Sequence, residues 1–170
     1  GYVYFDFYLD SYNVDITLTG TGGVGSTGSG GSADDYYVYF EGPAVNKRIN
    51  ATINGGNGAT SGGSGGYFYV DYYMTVDTST INFTGNGGNA SAGSGGGSGD
   101  GYIYYEGDAR NLTRNLTYNG GNGTTSGGDC SSFYVYGYYD ITNAAFNMTS
   151  NVGTASAAAG SLRGAYPELA

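Results

Sequence analysis

The sequence predicts an all-β protein of tandem repeats, in which antiparallel hairpins joined by glycine-rich crossovers pack as a two-layer sandwich or a solenoid. Three observations carry that expectation. Segments recur at a fixed spacing of 65 residues with no insertion or deletion. The recurring segments are dense in Tyr, Val, Phe, Ile and Thr, the residues that suit a pleated surface. No helical period runs through them.

The period is read directly from the chain. Ile16-Thr17-Leu18-Thr19-Gly20 returns as Ile81-Asn82-Phe83-Thr84-Gly85 and as Phe146-Asn147-Met148-Thr149-Ser150. Tyr37-Val38-Tyr39-Phe40-Glu41-Gly42 returns as Tyr102-Ile103-Tyr104-Tyr105-Glu106-Gly107, and Asn54-Gly55-Gly56-Asn57-Gly58 as Asn119-Gly120-Gly121-Asn122-Gly123. Residues 1–160 thus form a single repeat domain of about 2.6 copies, and 161–170 a divergent tail. Each copy divides into halves of 31 to 35 residues, every half reading as strand, turn, strand, crossover. Strands are expected at 2–9, 14–19, 36–41, 48–54, 67–76, 80–84, 102–106, 111–118, 133–141 and 145–149. Asp10-Ser11, Gly42-Pro43, Asp77-Thr78 and Gly107-Asp108 supply the turn chemistry between them.

The crossovers (20–31, 55–66, 85–101 and 120–128) hold 28 of the 35 glycines, so glycine and the aromatic residues are segregated along the chain. A segment without Cβ can lie directly against neighbouring backbone, which favours ordered crossovers at constant length. Flexible glycine-serine linkers between hairpins are the alternative reading.

Composition excludes much chemistry. With no histidine, no tryptophan and one cysteine, the chain cannot build a Ser-His-Asp or Cys-His triad, an ordinary zinc site or an internal disulfide. No enzymatic activity and no cofactor are expected. Net charge is −9, and only Lys47, Arg48, Arg110, Arg114 and Arg163 are basic, so nucleic acid is not an expected partner. No run of 18 apolar residues offers a membrane-spanning helix. A chain that opens at Gly1 reads as a processed mature form, from a removed leader or a trimmed sequence.

The acceptor pattern Asn-x-Ser/Thr for N-linked glycans occurs at Asn50, Asn82, Asn89, Asn111, Asn115, Asn122 and Asn147. Five of the seven fall in expected strands, where Asn and Thr point to one face and the middle residue to the other. The pairs Asn50/Asn115 and Asn82/Asn147 are repeat equivalents. On this reading the sites carry glycans and the protein is extracellular; the bland alternative is a polar outer face of half-exposed strands. In Tyr2-Val3-Tyr4-Phe5-Asp6-Phe7-Tyr8-Leu9 both faces of the strand are aromatic or aliphatic, as in an interior layer or a subunit interface. Exposed rings would also suit a carbohydrate platform.

Gly20-Thr21-Gly22-Gly23-Val24-Gly25 satisfies the dinucleotide pattern GxGxxG but precedes no helix, and glycine-rich sequence generates such matches freely. The repeat-equivalent carboxylates Asp35/Asp100, Glu41/Glu106 and Asp6/Asp71 could hold structural calcium, although they read better as solvated strand ends. Cys130 matches Gly65 of the previous copy and belongs to no repeated framework.

The tandem repeats, the Gly-Gly-Asn-Gly crossovers and the strand-borne Asn-x-Thr sites resemble those of secreted, glycosylated surface-layer, adhesin and fibril proteins of microbes. The resemblance implies a structural subunit of an extracellular filament or surface layer, a head-to-tail homopolymer with glycans on its surface. Assembly would run through strand edges, with Tyr2, Val3, Tyr4, Phe5, Phe7, Tyr8 and Leu9 as the contact strand. A sugar-binding or adhesive module is the alternative.

Overall fold

The structure, a computed structural model, describes residues 1–161 and the backbone of 165–169. Its strands are β1 (Tyr2–Phe7), β2 (Ser11–Thr21), β3 (Asp35–Phe40), β4 (Ala44–Asn54), β5 (Phe68–Tyr72), β6 (Val76–Asn86), β7 (Gly101–Tyr105), β8 (Ala109–Asn119), β9 (Phe133–Gly137), β10 (Ile141–Asn151) and β11 (Ala165–Leu169). Among the described residues there is no helix.

Among the described residues all strand pairing is parallel. One sheet runs β1-β3-β5-β7-β9-β11 and the other β10-β8-β6-β4-β2, so the chain winds as a β-solenoid of about five turns. This corrects the expected antiparallel hairpins. Consecutive strands such as β1 and β2 never pair; the chain turns a corner at residues 8–10 and enters the opposite sheet. A corner and a hairpin turn draw on the same Gly, Pro, Asp and Ser, so turn chemistry alone does not say which is made. The structural unit is likewise the single turn, in place of a 65-residue unit of paired hairpins: Tyr4 aligns with Tyr37 and Tyr37 with Tyr69, turns of 33 and 32 residues. The extra residue lies in the crossover, where Gly25 and Ser29 align with Gly58 and Ser61.

The ten expected strands are all present: β1, β5 and β9 are shorter than expected, β3 and β7 keep the expected length one residue earlier, and the second strand of each pair is longer. The second kind begins early because its third residue adopts a left-handed conformation that the strand absorbs: Asn13, Asn46, Thr78, Asn111 and Asn143 have φ of 50 to 57°. Asn tolerates that region best among residues with a Cβ. Asp77-Thr78, expected as a turn, is therefore inside β6.

The core lies between the sheets and is built of columns, each position stacking on its equivalent one turn away. Phe7, Phe40, Tyr72 and Tyr105 stack with centroids 4.9, 5.0 and 5.5 Å apart. Ile16, Ile49 and Ile81 form a second column, and Leu18, Ala51, Phe83 and Leu116 a third, all buried.

The crossovers are ordered and form a third wall. Two extended segments per turn run side by side, and their amides bond alternately along the axis and across it. Gly22, Gly55, Gly87 and Gly120 donate along the axis to the carbonyls of Asn54, Asn86, Asn119 and Asn151. Across the wall runs one unbroken chain, in which Gly31, Gly56, Gly63, Gly88, Gly96, Gly121, Gly128, Gly153 and Gly160 each donate to the preceding member, starting at the Gly23 carbonyl, over 2.7–3.0 Å. A Cβ at Gly56, Gly88 or Gly121 would lie against the carbonyl oxygen of Gly23, Gly56 or Gly88, far inside contact distance. Glycine here is required by close backbone approach.

Candidate functional surfaces

The two sheets present chemically different outer faces. On the first sheet, register alternates tyrosine and carboxylate from turn to turn. Tyr2, Asp35, Tyr67 and Asp100 form one column; Asp6, Tyr39, Asp71 and Tyr104 a second; Tyr8, Glu41, Tyr73 and Glu106 a third. Between them Tyr4, Tyr37, Tyr69, Tyr102 and Tyr134 form an unbroken aromatic column. Carboxylates within a column are two turns apart, about 9–10 Å, with a phenol between, so like charges never stand directly opposite. This alternation is a chemical reason for sequence to repeat every second turn.

Spacing of that size also separates the carboxylate pairs Asp35/Asp100, Glu41/Glu106 and Asp6/Asp71 beyond sharing one calcium ion. Asp35 Oδ1 accepts the Tyr67 amide at 2.8 Å and Asp100 Oδ1 the Ser132 amide at 2.9 Å, tying each to the next turn. Among the described residues no three His, Cys, Asp or Glu side chains come together as a metal site. Asp71 is 2 % exposed and accepts the Tyr69 hydroxyl at 3.1 Å, and burial raises its carboxyl to about 6. Burial, with Asp100 nearby, pushes Tyr102 up to about 12. The rings stack on one another along the axis, as in Tyr4–Tyr37 at 4.7 Å and Tyr104–Tyr136 at 4.7 Å, so ring faces are largely used within the column and edges face outward.

The second sheet presents small neutral groups. Its outward rows are Thr17-x-Thr19-x-Thr21, then Asn50-x-Thr52-x-Asn54, Asn82-x-Thr84-x-Asn86, Asn115-x-Thr117-x-Asn119 and Asn147-x-Thr149-x-Asn151, in register. Amides link the turns. Asn82, Asn115 and Asn147 donate Nδ2 to Oδ1 of Asn50, Asn82 and Asn115 over 2.8–2.9 Å, and Asn86, Asn119 and Asn151 continue the outer column over 2.7–2.8 Å.

Four of the seven glycan acceptors, Asn50, Asn82, Asn115 and Asn147, are therefore one ladder, its members about 4.8 Å apart, a spacing too narrow for a glycan on each. Asn111 lies on the same strand as Asn115, donates to Asp77 and accepts from Asn143. Asn89 and Asn122 sit in the crossovers, where their Oδ1 atoms accept the amides of Asn122 and Thr154. The assembly strand Tyr2, Val3, Tyr4, Phe5 and Phe7 is the outermost strand of the first sheet, with Tyr8 and Leu9 at the following corner. Phe5 and Phe7 pack partly on the core, whereas Tyr2, Tyr4, Tyr8 and Leu9 are exposed.

Sequence reasoning missed two buried cations. Arg114 is fully buried in the isoleucine column; its Nε donates to the Tyr105 hydroxyl and its Nη1 to the Ser79 carbonyl, both at 2.6 Å. Lys47 donates to the Val45 carbonyl at 3.0 Å, and burial lowers its ammonium to about 8. The signal was available: each replaces an apolar residue in its column, Arg114 following Ile81 and Lys47 following Val14. Cys130 is buried, donates its thiol to the Tyr118 carbonyl at 3.4 Å, and has its pKa raised by that burial. No protein-family model, curated protein or solved structure matches the chain.

Proposed function

We propose that the chain is a structural element, a stiff solenoid segment of an extracellular filament or surface layer, with no catalytic role. The observation that carries this reading is the arrangement of its polar groups. They run in parallel columns from end to end, each stacking on its equivalent, instead of converging on a cleft. Such an array gains stability per added turn and takes further turns at its open edges.

The edge at β10 supports the assembly part of the proposal. All of Ile141–Asn151 is exposed or half-exposed, and the core residues Phe146 and Met148 remain about 40 % exposed. A further turn, from a second copy's β2 or from continuing chain, would cover them. On the first sheet β11 stands on β9, where a second copy's β1 would otherwise stand, so joining in full register exchanges β11 for β1.

Glycans fit this reading at an acceptor off the ladder, such as Asn111. The sugar-binding alternative draws less support, because the tyrosine rings already cover one another's faces. Sedimentation and electron microscopy of the purified protein test the proposal: filaments or end-to-end oligomers are expected, increased by removing residues 161–170 and lost on removing 1–10. An intact protein and a 161–170 deletion that both stay monomeric at high concentration contradict it, as does undiminished assembly after removal of 1–10.

A further inference from the structure

The Thr/Asn face of the second sheet is a lattice with two fixed spacings. Neighbours in a row are two residues apart, about 6.6 Å, and neighbours in a column one turn apart, about 4.8 Å. Fifteen residues, from Thr17 to Asn151, occupy three such columns over five turns, a patch of about 19 by 13 Å. None of them is charged. The nearest ion pair, Arg48 with Asp15 at 3.4 Å, lies in the next column outward, and six of the carboxylates lie on the opposite sheet.

The lattice is also rigid. The amide ladders fix the asparagines, and β-branching restricts the threonines at χ1. Each interior asparagine spends one N–H and one lone pair on the ladder and keeps one of each for whatever lies outside, and each threonine hydroxyl can donate and accept. The face therefore offers a neutral, regularly spaced grid of donors and acceptors interleaved with methyl groups.

We infer that this face binds ice. Ice is itself a neutral grid in which every oxygen donates and accepts, and its surface repeats lie close to both spacings of the protein grid. Water held on the face at these positions is already placed to join that lattice. Each contact is weak, but fifteen fixed positions engage together, which is how a rigid array binds where a flexible one would not. Charge fits too: a patch without net charge meets a surface without net charge, while the protein's −9 is carried elsewhere.

The same rows account for four of the glycan acceptor patterns. Repeating Asn-x-Thr-x-Asn writes Asn-x-Thr at Asn50, Asn82, Asn115 and Asn147 whether or not a sugar is ever attached. Ice binding does not rest on the axial assembly proposed above, since one chain carries the whole patch.

The test is thermal hysteresis and inhibition of ice recrystallisation by the purified chain, with ice itself as the probe. The parent protein and Glu106→Gln, on the opposite face, are expected to shape ice crystals and hold a hysteresis gap. Thr84→Lys, at the centre of the grid, is expected to lose it while keeping the parent circular dichroism spectrum. Thr52→Lys and Thr117→Lys give the same comparison one turn away should Thr84→Lys fail to fold. No hysteresis from the parent overturns the inference, as does undiminished hysteresis in the folded lysine variants. Retention on crystalline cellulose or chitin without any effect on ice overturns it in favour of a polysaccharide surface. A glycan mass on Asn82 or Asn115 of the native protein overturns it as well, because a sugar there would stand over the grid.

Discussion

The glycine wall and the two sheets both bond one turn to the next through the backbone, but they pack by different means. In the sheets, backbone ladders join the strands of successive turns and side chains pack over them: isoleucine, phenylalanine and tyrosine columns inside, amide ladders and phenol–carboxylate columns outside. In the wall the backbone itself is the packing surface, and amides of one segment bond directly to carbonyls of the other. A sheet column tolerates a change of residue, as Ile16, Ile49, Ile81 and Arg114 demonstrate in a single column. The wall tolerates none where backbone meets backbone. Regularity of side chain and regularity of chain path are thus separate requirements, and this protein assigns them to different parts of each turn.

The largest effect expected of any single change tests that contrast within the wall. Gly88→Ala places a methyl against the Gly56 carbonyl and severs the cross-wall chain, and should destabilise by about 3 kcal/mol or more. Gly23→Ala, where an added Cβ meets nothing within 4 Å, should cost less than about 0.5 kcal/mol. Denaturant melts of the two variants read the difference directly; equal costs would erase the distinction.

Next in size is a change on the tyrosine face. Asp71 is held above its ordinary 3.8, at about 6, by burial, so the folded state binds its proton more tightly than the unfolded chain does. Its contribution to stability is therefore most favourable below about pH 4 and declines as pH rises through about 6. Asp71→Asn removes that dependence and should stabilise the protein by about 2 kcal/mol at pH 7. Melting temperature against pH for the two proteins checks the sign, with the curves converging in acid.

Smaller again is the amide ladder. Asn82→Ala removes the bonds to Asn50 and Asn115 from a half-exposed position and should cost about 1 kcal/mol. Smallest is Thr78→Asn. A β-branched residue at φ 57° is the departure from asparagine in its column, and restoring asparagine should stabilise by about 0.5 kcal/mol, seen as a small rise in Tm.

The contrast also explains what was legible in the sequence. Strand positions were, because alternation of Tyr2-Val3-Tyr4-Phe5 or Asn82-Phe83-Thr84-Gly85 is a local pattern. Pairing direction was not, since a strand, a corner and another strand carry the same residues whether the second folds back or crosses to another sheet. The 65-residue spacing overstated the unit because glycine and carboxylate recur every second turn, at Gly42 and Gly107 and at Glu41 and Glu106, while backbone register recurs every turn. The acceptor asparagines were visible, but their meeting in a ladder depends on parallel register. Arg114 was visible only as an oddity in a row of hydrophobic residues.

The central claim is that the glycine-rich segments are an ordered wall and not linkers, and amide hydrogen exchange tests it most directly. Gly56, Gly88 and Gly121 donate across the wall at 2.8–2.9 Å, and their amides should exchange as slowly as those of β4, β6 and β8, in the same cooperative unit. Exchange of these glycines at the rate of an open chain, while the strands stay protected, would contradict the account.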